Sequence, residues 1–324
     1  MIISQTPFRV SFAGGGTDMP AFYSEEPGAV ISTAINRHMY VTVHRRFEPN
    51  YRIAYSKIEL AEQGRSIEHE LVREALRTTG IDEPLGVTTI GDVPAGTGMG
   101  SSSTLTVGLL NAFHAYGGRV TTPANLAEEA CRIEIDVLGK PIGRQDQYAA
   151  AFGGINFIRF NGDHSVTVEP VPCRRETIDE LERRTLLMYT NQTRSADGIL
   201  KKQSDGTRDK FKVLQEMRDI AHQMRVEIAG SGDLDQFAGL LDQAWNLKRS
   251  LGFGITDTGI DELYSAARGA GAQGGKLLGA GGGGFILLMA PAERHEAIRE
   301  AVGRPKELEF SVDRQGSRII FINE

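Results

Sequence analysis

Between Asp92 and Leu105 the chain reads DVPAGTGMGSSSTL, and few structures accommodate such a stretch. Gly96, Gly98 and Gly100 alternate with small residues, and Ser101, Ser102, Ser103 and Thr104 follow at once. The apolar run from Leu105 to Phe113 then suits a buried helix. Glycines let the backbone turn sharply, so that several N–H groups face one point. A helix that begins in the serines aims its free N–H groups and the positive end of its dipole at that same point. The combination predicts a phosphate cradle, with hydroxyls available as hydrogen-bond donors or Mg²⁺ ligands. It is not a Walker loop, because serine follows Gly100 and the segment holds no lysine. A glycine-rich turn that caps an ordinary core helix is the plainer reading of the same residues.

Glycine is the one compositional excess. The 38 glycines cluster at 14–16, 96–100, 153–154 and 269–284, which predicts backbone packed against a ligand or against other backbone. A net charge of −6 excludes the broad basic field that a nucleic acid or an anionic membrane would require. Cys131 and Cys173 are too few for a disulfide framework, and no Cys/His cluster points to zinc. The N-terminus lacks the basic start and apolar core of a signal peptide, and no apolar run reaches membrane-spanning length. A cytoplasmic location is expected.

Periodicity predicts a strand over 2–12 interrupted at Pro7, a helix over 67–79 closed by Gly80, and a strand over 86–90 that feeds the cradle. A helix over 123–138 has Thr121 or Thr122 as its N-cap. The pattern weakens near 170–175, which divides the chain into domains 1–175 and 176–324. The second half carries helices over 207–229, 234–250, 257–269 and 291–302, strands at 276–279 and 285–290, and a terminal hairpin around 314–316. Strands and helices without strict alternation indicate an α+β protein.

The segment Pro94-x-x-x-Gly98-Met99-Gly100-Ser101-Ser102-Ser103 resembles the P-x-x-x-G-L-G-S-S-A signature of the GHMP kinases, with Met99 for Leu and Ser103 for Ala. PFRVSFAGGGTDMP resembles the first motif of that family, and KLLGAGGGGF its third. The resemblance spans essentially the whole chain. It implies a ribosomal-S5-domain-2-like N-terminal domain, with an unusual left-handed βαβ unit, and a ferredoxin-like C-terminal domain. It also implies ATP and Mg²⁺ as cofactors. ATP would lie on Pro94, Gly96, Thr97, Gly98, Met99, Gly100, Ser101, Ser102 and Ser103.

Arg9 stands inside an otherwise apolar strand, and a buried guanidinium needs an anionic partner. From the residues alone it is as well read as a strand arginine paired with a carboxylate. The resemblance puts it near the transferring phosphate and gives Gly16, Thr17 and Asp18 to the phosphoryl acceptor. Gly15-Gly16-Thr17-Asp18 departs from the Glu-His-Thr-Asp of galactokinases, so the smaller loop leaves room for a bulkier or differently substituted sugar. By the same resemblance Glu134 with Ser102 binds Mg²⁺ and Asp146 is the catalytic carboxylate. Whether Asp146 takes the proton or orients the hydroxyl stays open, as does which serine meets the metal.

Gly279-x-Gly281-x-x-Gly284 satisfies a dinucleotide fingerprint, but the FILLMA that follows reads as a buried strand where a helix is required. It is read instead as a glycine loop beside the active site, with Gly281 and Gly282 near the acceptor. YTNQTRSADGIL and WNLKRSL resemble segments of a narrower group, bacterial kinases acting on D-glycero-α-D-manno-heptose 7-phosphate. Those enzymes phosphorylate the anomeric hydroxyl to the 1,7-bisphosphate, toward GDP-heptose and surface polysaccharide. A substrate with its own phosphate needs fixed cations, and Arg194, Lys201, Arg144 and Lys248 are the candidates, with Arg144 and Arg194 assigned to substrate. Other sugars (fucose, galactose, a uronic acid or unphosphorylated heptose), a non-catalytic sensor on the same fold and an interaction protein remain as alternatives. A small-molecule sugar and ATP are the expected partners, and a homodimer is left open.

Overall fold

The computed structural model describes residues 1–192, 197–252 and 254–323. Its first sheet is built on two long strands, β1 (Ile2–Ala13) and β2 (Gly28–Arg45), paired antiparallel. Pro7 does not interrupt β1. The register with β2 shifts between Pro7 and Arg9, and this irregularity absorbs the residue that cannot donate to the ladder. β2 then serves two neighbours along its length. Its first half pairs with β6 (Ile155–Phe160) and its second half with β5 (Leu85–Gly91). β3 (Tyr51–Ala54) lies parallel to β5, β4 (Ile58–Ala61) forms the edge, and β7 (Val166–Pro170) extends β6.

The second sheet is antiparallel in the order β11-β8-β10-β9. It comprises β8 (Thr185–Tyr189), β9 (Gly274–Leu277), β10 (Phe285–Met289) and β11 (Glu307–Leu308). The expected terminal hairpin is not formed. β12 (Arg318–Ile322) returns to the first sheet and pairs with β1, Ile2 opposite Ile322. A local turn signal cannot reveal a partner that lies at the other end of the chain.

Helices α1 (Pro20–Tyr23), α2 (Glu70–Thr79), α3 (Ser101–Tyr116), α4 (Pro123–Cys131) and α5 (Gln145–Phe152) belong to the first half. The second half adds α6 (Arg175–Arg184), α7 (Asp197–Asp205), α8 (Phe211–Ala229), α9 (Leu234–Ser250), α10 (Thr258–Gly269) and α11 (His295–Ala301). Their ends follow local chemistry. The Thr122 hydroxyl caps α4 by accepting from the Asn125 N–H, and the Asp233 carboxylate caps α9. The predicted helix over 123–138 is not uniform, because after Cys131 it widens into a π-helical stretch, Arg132–Val137.

α3 packs on β1 and β2, burying Val107, Leu109, Leu110 and Phe113 completely. Each such side chain contributes roughly 1.5–3 kcal/mol relative to exposure. The opposite face of β1 joins the halves: Phe8, Val10 and Phe12 share one core with Leu187, Phe237 and Leu287. That shared core holds the two sheets against each other and fixes the seam between them. Among the described residues no helix is long and apolar enough to cross a membrane.

Candidate active site

The glycine loop of 92–105 sits at this seam. Gly96, Gly98 and Gly100 have φ of 74°, 81° and 76°, a region that favours glycine. A Cβ on Gly98 would lie 2.5 Å from the Leu278 carbonyl oxygen, so a side chain there would drive the loop off the second half. Thr97 is buried, accepts at its carbonyl from the Phe285 N–H at 3.2 Å, and donates its hydroxyl to the Pro94 carbonyl. Met99 is fully buried and Pro94 is exposed, so these two shape the loop from outside the cavity. α3 has Gly100 as its N-cap without a side-chain cap, which leaves its first N–H groups available, and the Ser101 hydroxyl is buried without a partner among the described residues.

A cavity of about 400 Å³ opens in front of that helix end, lined from the first half by Arg9, Gly16, Asp18, Ser101, Ser102, Ser103 and Asp146 among others. The second half closes it with Leu200, Gln203, Lys248, Lys276, Gly279 and Ala280. The Arg9 guanidinium grips Asp146 through two bonds of 2.7 Å and donates a third, 2.6 Å long, to the Gly98 carbonyl. This fork leaves two of its five N–H groups for a ligand. It also fixes the Asp146 carboxylate at the first turn of α5.

Asp18 is held by the backbone. Its carboxylate accepts from the Gly16 N–H at 2.8 Å and from the Gln145 N–H at 3.2 Å. Burial pushes its carboxyl up, opposed by the Gly16 bond and reinforced by the nearby Asp146 charge. The Thr17 side chain does not face the acceptor as expected. Its hydroxyl is fully buried against the Gly14 and Ala29 carbonyls, where it folds the loop that presents Asp18.

Glu134 is drawn inward by the π-helical stretch, a local widening that often marks functional positions. It is 1% exposed and accepts from the Gln147 amide at 2.8 Å. Burial raises its carboxyl to about 7, against hydrogen bonds to Ser103, Gln147 and Ser102 that lower it. A carboxylate and two hydroxyls beside a free helix end form a hard oxygen donor set that fits Mg²⁺. Among the described residues no group of three His, Cys, Asp or Glu side chains could hold a metal, so phosphate oxygens would have to complete the shell.

Other candidates lie elsewhere than expected. Arg144 is turned away from the cavity: it donates to Glu128 at 2.6 Å and to the His164 carbonyl, and lies over the Tyr148 ring. Glu128 competes for its charge, so it is an anchor of the loop before α5. Gly281 and Gly282 pack on Ile255, whose carbonyl accepts from the Gly282 N–H at 2.9 Å, and the cavity is lined by Gly279 and Ala280 instead. Arg194 lies outside the described residues. Lys201 is exposed on α7.

Gln203, Gly143 and Lys276 also line the cavity, though the sequence does not single them out. Lys276 carried the same signal as Arg9, a lone cation in a buried strand. Its ammonium donates to the Ser11 and Phe12 carbonyls at 2.8 and 3.1 Å, and burial holds its pKa well below the ordinary lysine value. Lys248 donates to the Gly279 carbonyl. Its pKa is pushed down to about 8 by burial and by Arg9, with Asp18 and Asp146 opposing.

The arrangement has counterparts. The family model of the GHMP kinases N terminal domain matches residues 66–154, and that of the GHMP kinases C terminal matches 206–307. A D-glycero-alpha-D-manno-heptose 7-phosphate kinase of Campylobacter jejuni is 31% identical over 96% of this chain and 96% of its own length. A bifunctional fucokinase/GDP-fucose pyrophosphorylase of Arabidopsis thaliana is 27% identical over 95% of this chain, which spans 32% of that protein. The crystal structure of a D-glycero-D-manno-heptose 1-phosphate kinase from Bacteriodes thetaiotaomicron superposes with a TM-score of 0.84, at 26% identity and full coverage of both chains. With both family domains matched in order and a full-length relative at this identity, the chain belongs to the GHMP kinases, as an ATP-dependent phosphotransferase of the sugar kinase type.

Proposed function

We propose that this kinase transfers the terminal phosphoryl group of ATP to the anomeric hydroxyl of D-glycero-α-D-manno-heptose 7-phosphate, giving the 1,7-bisphosphate. The observation that carries the reading is the Asp18–Asp146–Arg9 constellation, which faces an uncapped helix end across one cavity. The heptose is favoured by the full-length similarity to a kinase named for that substrate.

In this reading the nucleotide phosphates accept from the N–H groups at the start of α3 and from the Ser101 hydroxyl. Mg²⁺ held by Glu134 and Ser102 would supply charge neutralisation on the phosphates when bound. Asp18 accepts hydrogen bonds from sugar hydroxyls, and its two backbone donors keep it in place. Asp146 accepts the hydrogen bond of the attacking hydroxyl. Because Arg9 occupies one lone pair on each of its oxygens, Asp146 is held as an oriented carboxylate that receives the proton as the hydroxyl attacks. The free N–H groups of Arg9 meet charge on the transferring group. Catalysis is then positioning and electrostatic stabilisation, as expected for phosphoryl transfer.

The test is ADP release from ATP and Mg²⁺ against heptose 7-phosphate, mannose, fucose, galactose and galacturonate, with product NMR to locate the new phosphate. Turnover confined to the 7-phosphate, with a new C1 phosphate, supports the reading. Preferential turnover of a plain sugar would keep the kinase and discard the heptose.

A further inference from the structure

We propose that Lys248 and Lys276, together with the Ser11 hydroxyl, form a separate phosphate-binding subsite where the two halves of the molecule meet. This deepens the kinase reading above and rests on it. Lys248 from α9, Lys276 from β9 and Ser11 from β1 are 6%, 4% and 5% exposed, and all three line the seam cavity.

Charge is unbalanced there. Among the described residues Arg9, Lys248 and Lys276 face only two carboxylates in the cavity wall, Asp18 and Asp146, and Asp146 is already gripped by Arg9 on both oxygens. The charges that reach Lys276 are those of Lys248 and Arg9, both repulsive. A buried ammonium without an anion is costly, and the cost falls when a ligand brings one. Hydrogen-bond capacity is also unspent. Lys276 uses two N–H groups on Ser11 and Phe12 and gains a third when an anion keeps it protonated, and Lys248 uses one on Gly279 and retains others. The Ser11 hydroxyl is buried with no partner among the described residues.

These are convergent, desolvated donors with surplus positive charge, which a phosphoryl group satisfies and a neutral hydroxyl does not. A strap that merely joined the halves would need the two carbonyl bonds of Lys276 but neither Lys248 nor an orphan hydroxyl. The phosphoryl group has two sources, the acceptor's own phosphate and the terminal phosphate of the nucleotide.

The experiment titrates the full chain and its Lys248→Met, Lys276→Met and Ser11→Ala variants by calorimetry with paired probes. The pairs are heptose 7-phosphate against heptose, and a non-hydrolysable ATP analogue against ADP. Inorganic phosphate added to the ADP-saturated protein is a third probe, independent of the sugar. The lysine variants are expected to weaken the phosphate-bearing member of one pair by about 10- to 100-fold, as for the loss of a hydrogen bond to a charged group, and to spare the other member. Loss on the sugar pair assigns the subsite to the acceptor; loss on the nucleotide pair assigns it to the transferring group. Ser11→Ala, which leaves both charges in place, should give the same pattern at about threefold and serves where a lysine variant does not fold. If heptose 7-phosphate fails to bind the wild-type protein, the sugar reading falls while phosphate and the nucleotide pair still test the subsite. Variants that bind inorganic phosphate and both pairs as the wild type does would overturn it.

Discussion

Gly143 is the position where a single methyl group tests the acceptor site without touching its chemistry. A Cβ built there would lie 1.9 Å from Asp18 Oδ2, 2.3 Å from its Cγ and 2.9 Å from Oδ1. Gly143 is not among the glycines with positive φ, so an alanine meets no backbone strain and the effect is steric. Ordinary contact begins near 3.4 Å, so the carboxylate oxygen must retreat by about 1.5 Å. Asp18 is buried and pinned, and that retreat breaks its bond to the Gln145 N–H. Losing a hydrogen bond to a charged group costs roughly 1.5–3 kcal/mol, and overpacking adds about 1–3. Gly143→Ala should therefore lose on the order of 3 kcal/mol of stability, a fall in Tm of roughly 5–10 °C. The kcat/KM for sugar should fall about 100-fold, the usual penalty for a misplacement near 1 Å. Thermal melting and coupled ADP release on the same sample read both quantities. Gly239→Ala is the control: it lies within α9 with nothing within 4 Å of its Cβ, and should be neutral or slightly stabilising. A Gly143→Ala protein with wild-type Tm and wild-type kcat/KM would refute the placement of Asp18.

Lys248→Met tests the buried ammonium through pH. The folded-state pKa of about 8 lies below the ordinary 10.5, so burial disfavours the charged form and the penalty is fully present below pH 8. Between pH 8 and 10.5 the unfolded chain binds more protons than the folded one, and wild-type stability gains relative to the variant. Denaturant melts should show Lys248→Met gaining most at pH 7 and its advantage shrinking toward pH 10.5; a constant difference would count against a charged lysine in the cavity. Arg144→Met should lower stability by about 1–2 kcal/mol, through lost packing on Tyr148 and the lost Glu128 bond, and leave the preference between phosphorylated and plain sugar unchanged. A selective loss of the phosphorylated sugar would return Arg144 to the substrate.

The tight glycine loop and the helix that follows it were legible because their signal is local: glycine spacing, serines and an apolar helix lie within one short segment. Arg9 was legible as a lone cation in an apolar strand, and Asp146 through the motif that surrounds it. Glu134 was visible as a residue but not as a buried one, since its inward turn depends on the π-helical widening after Cys131. Long-range pairing was hidden. Arg144 looks like a substrate cation until Glu128 and the His164 carbonyl are brought to it, and β12 gives no sign of its partner at the opposite end of the chain. Gln203 stands in the polar run KKQSD, where nothing separates a solvated residue from one that is 3% exposed in a cavity wall.

In the proposed reaction Asp146 acts on the acceptor hydroxyl and not in holding the nucleotide. Asp146→Asn preserves the shape and removes the charge that Arg9 grips. The measurement is nucleotide affinity and turnover of that variant in one preparation, by calorimetry and by ADP release. Turnover should fall by about 1,000-fold or more while nucleotide affinity stays within about threefold, since the first N–H groups of α3 are untouched. Full turnover with weakened nucleotide binding would contradict it.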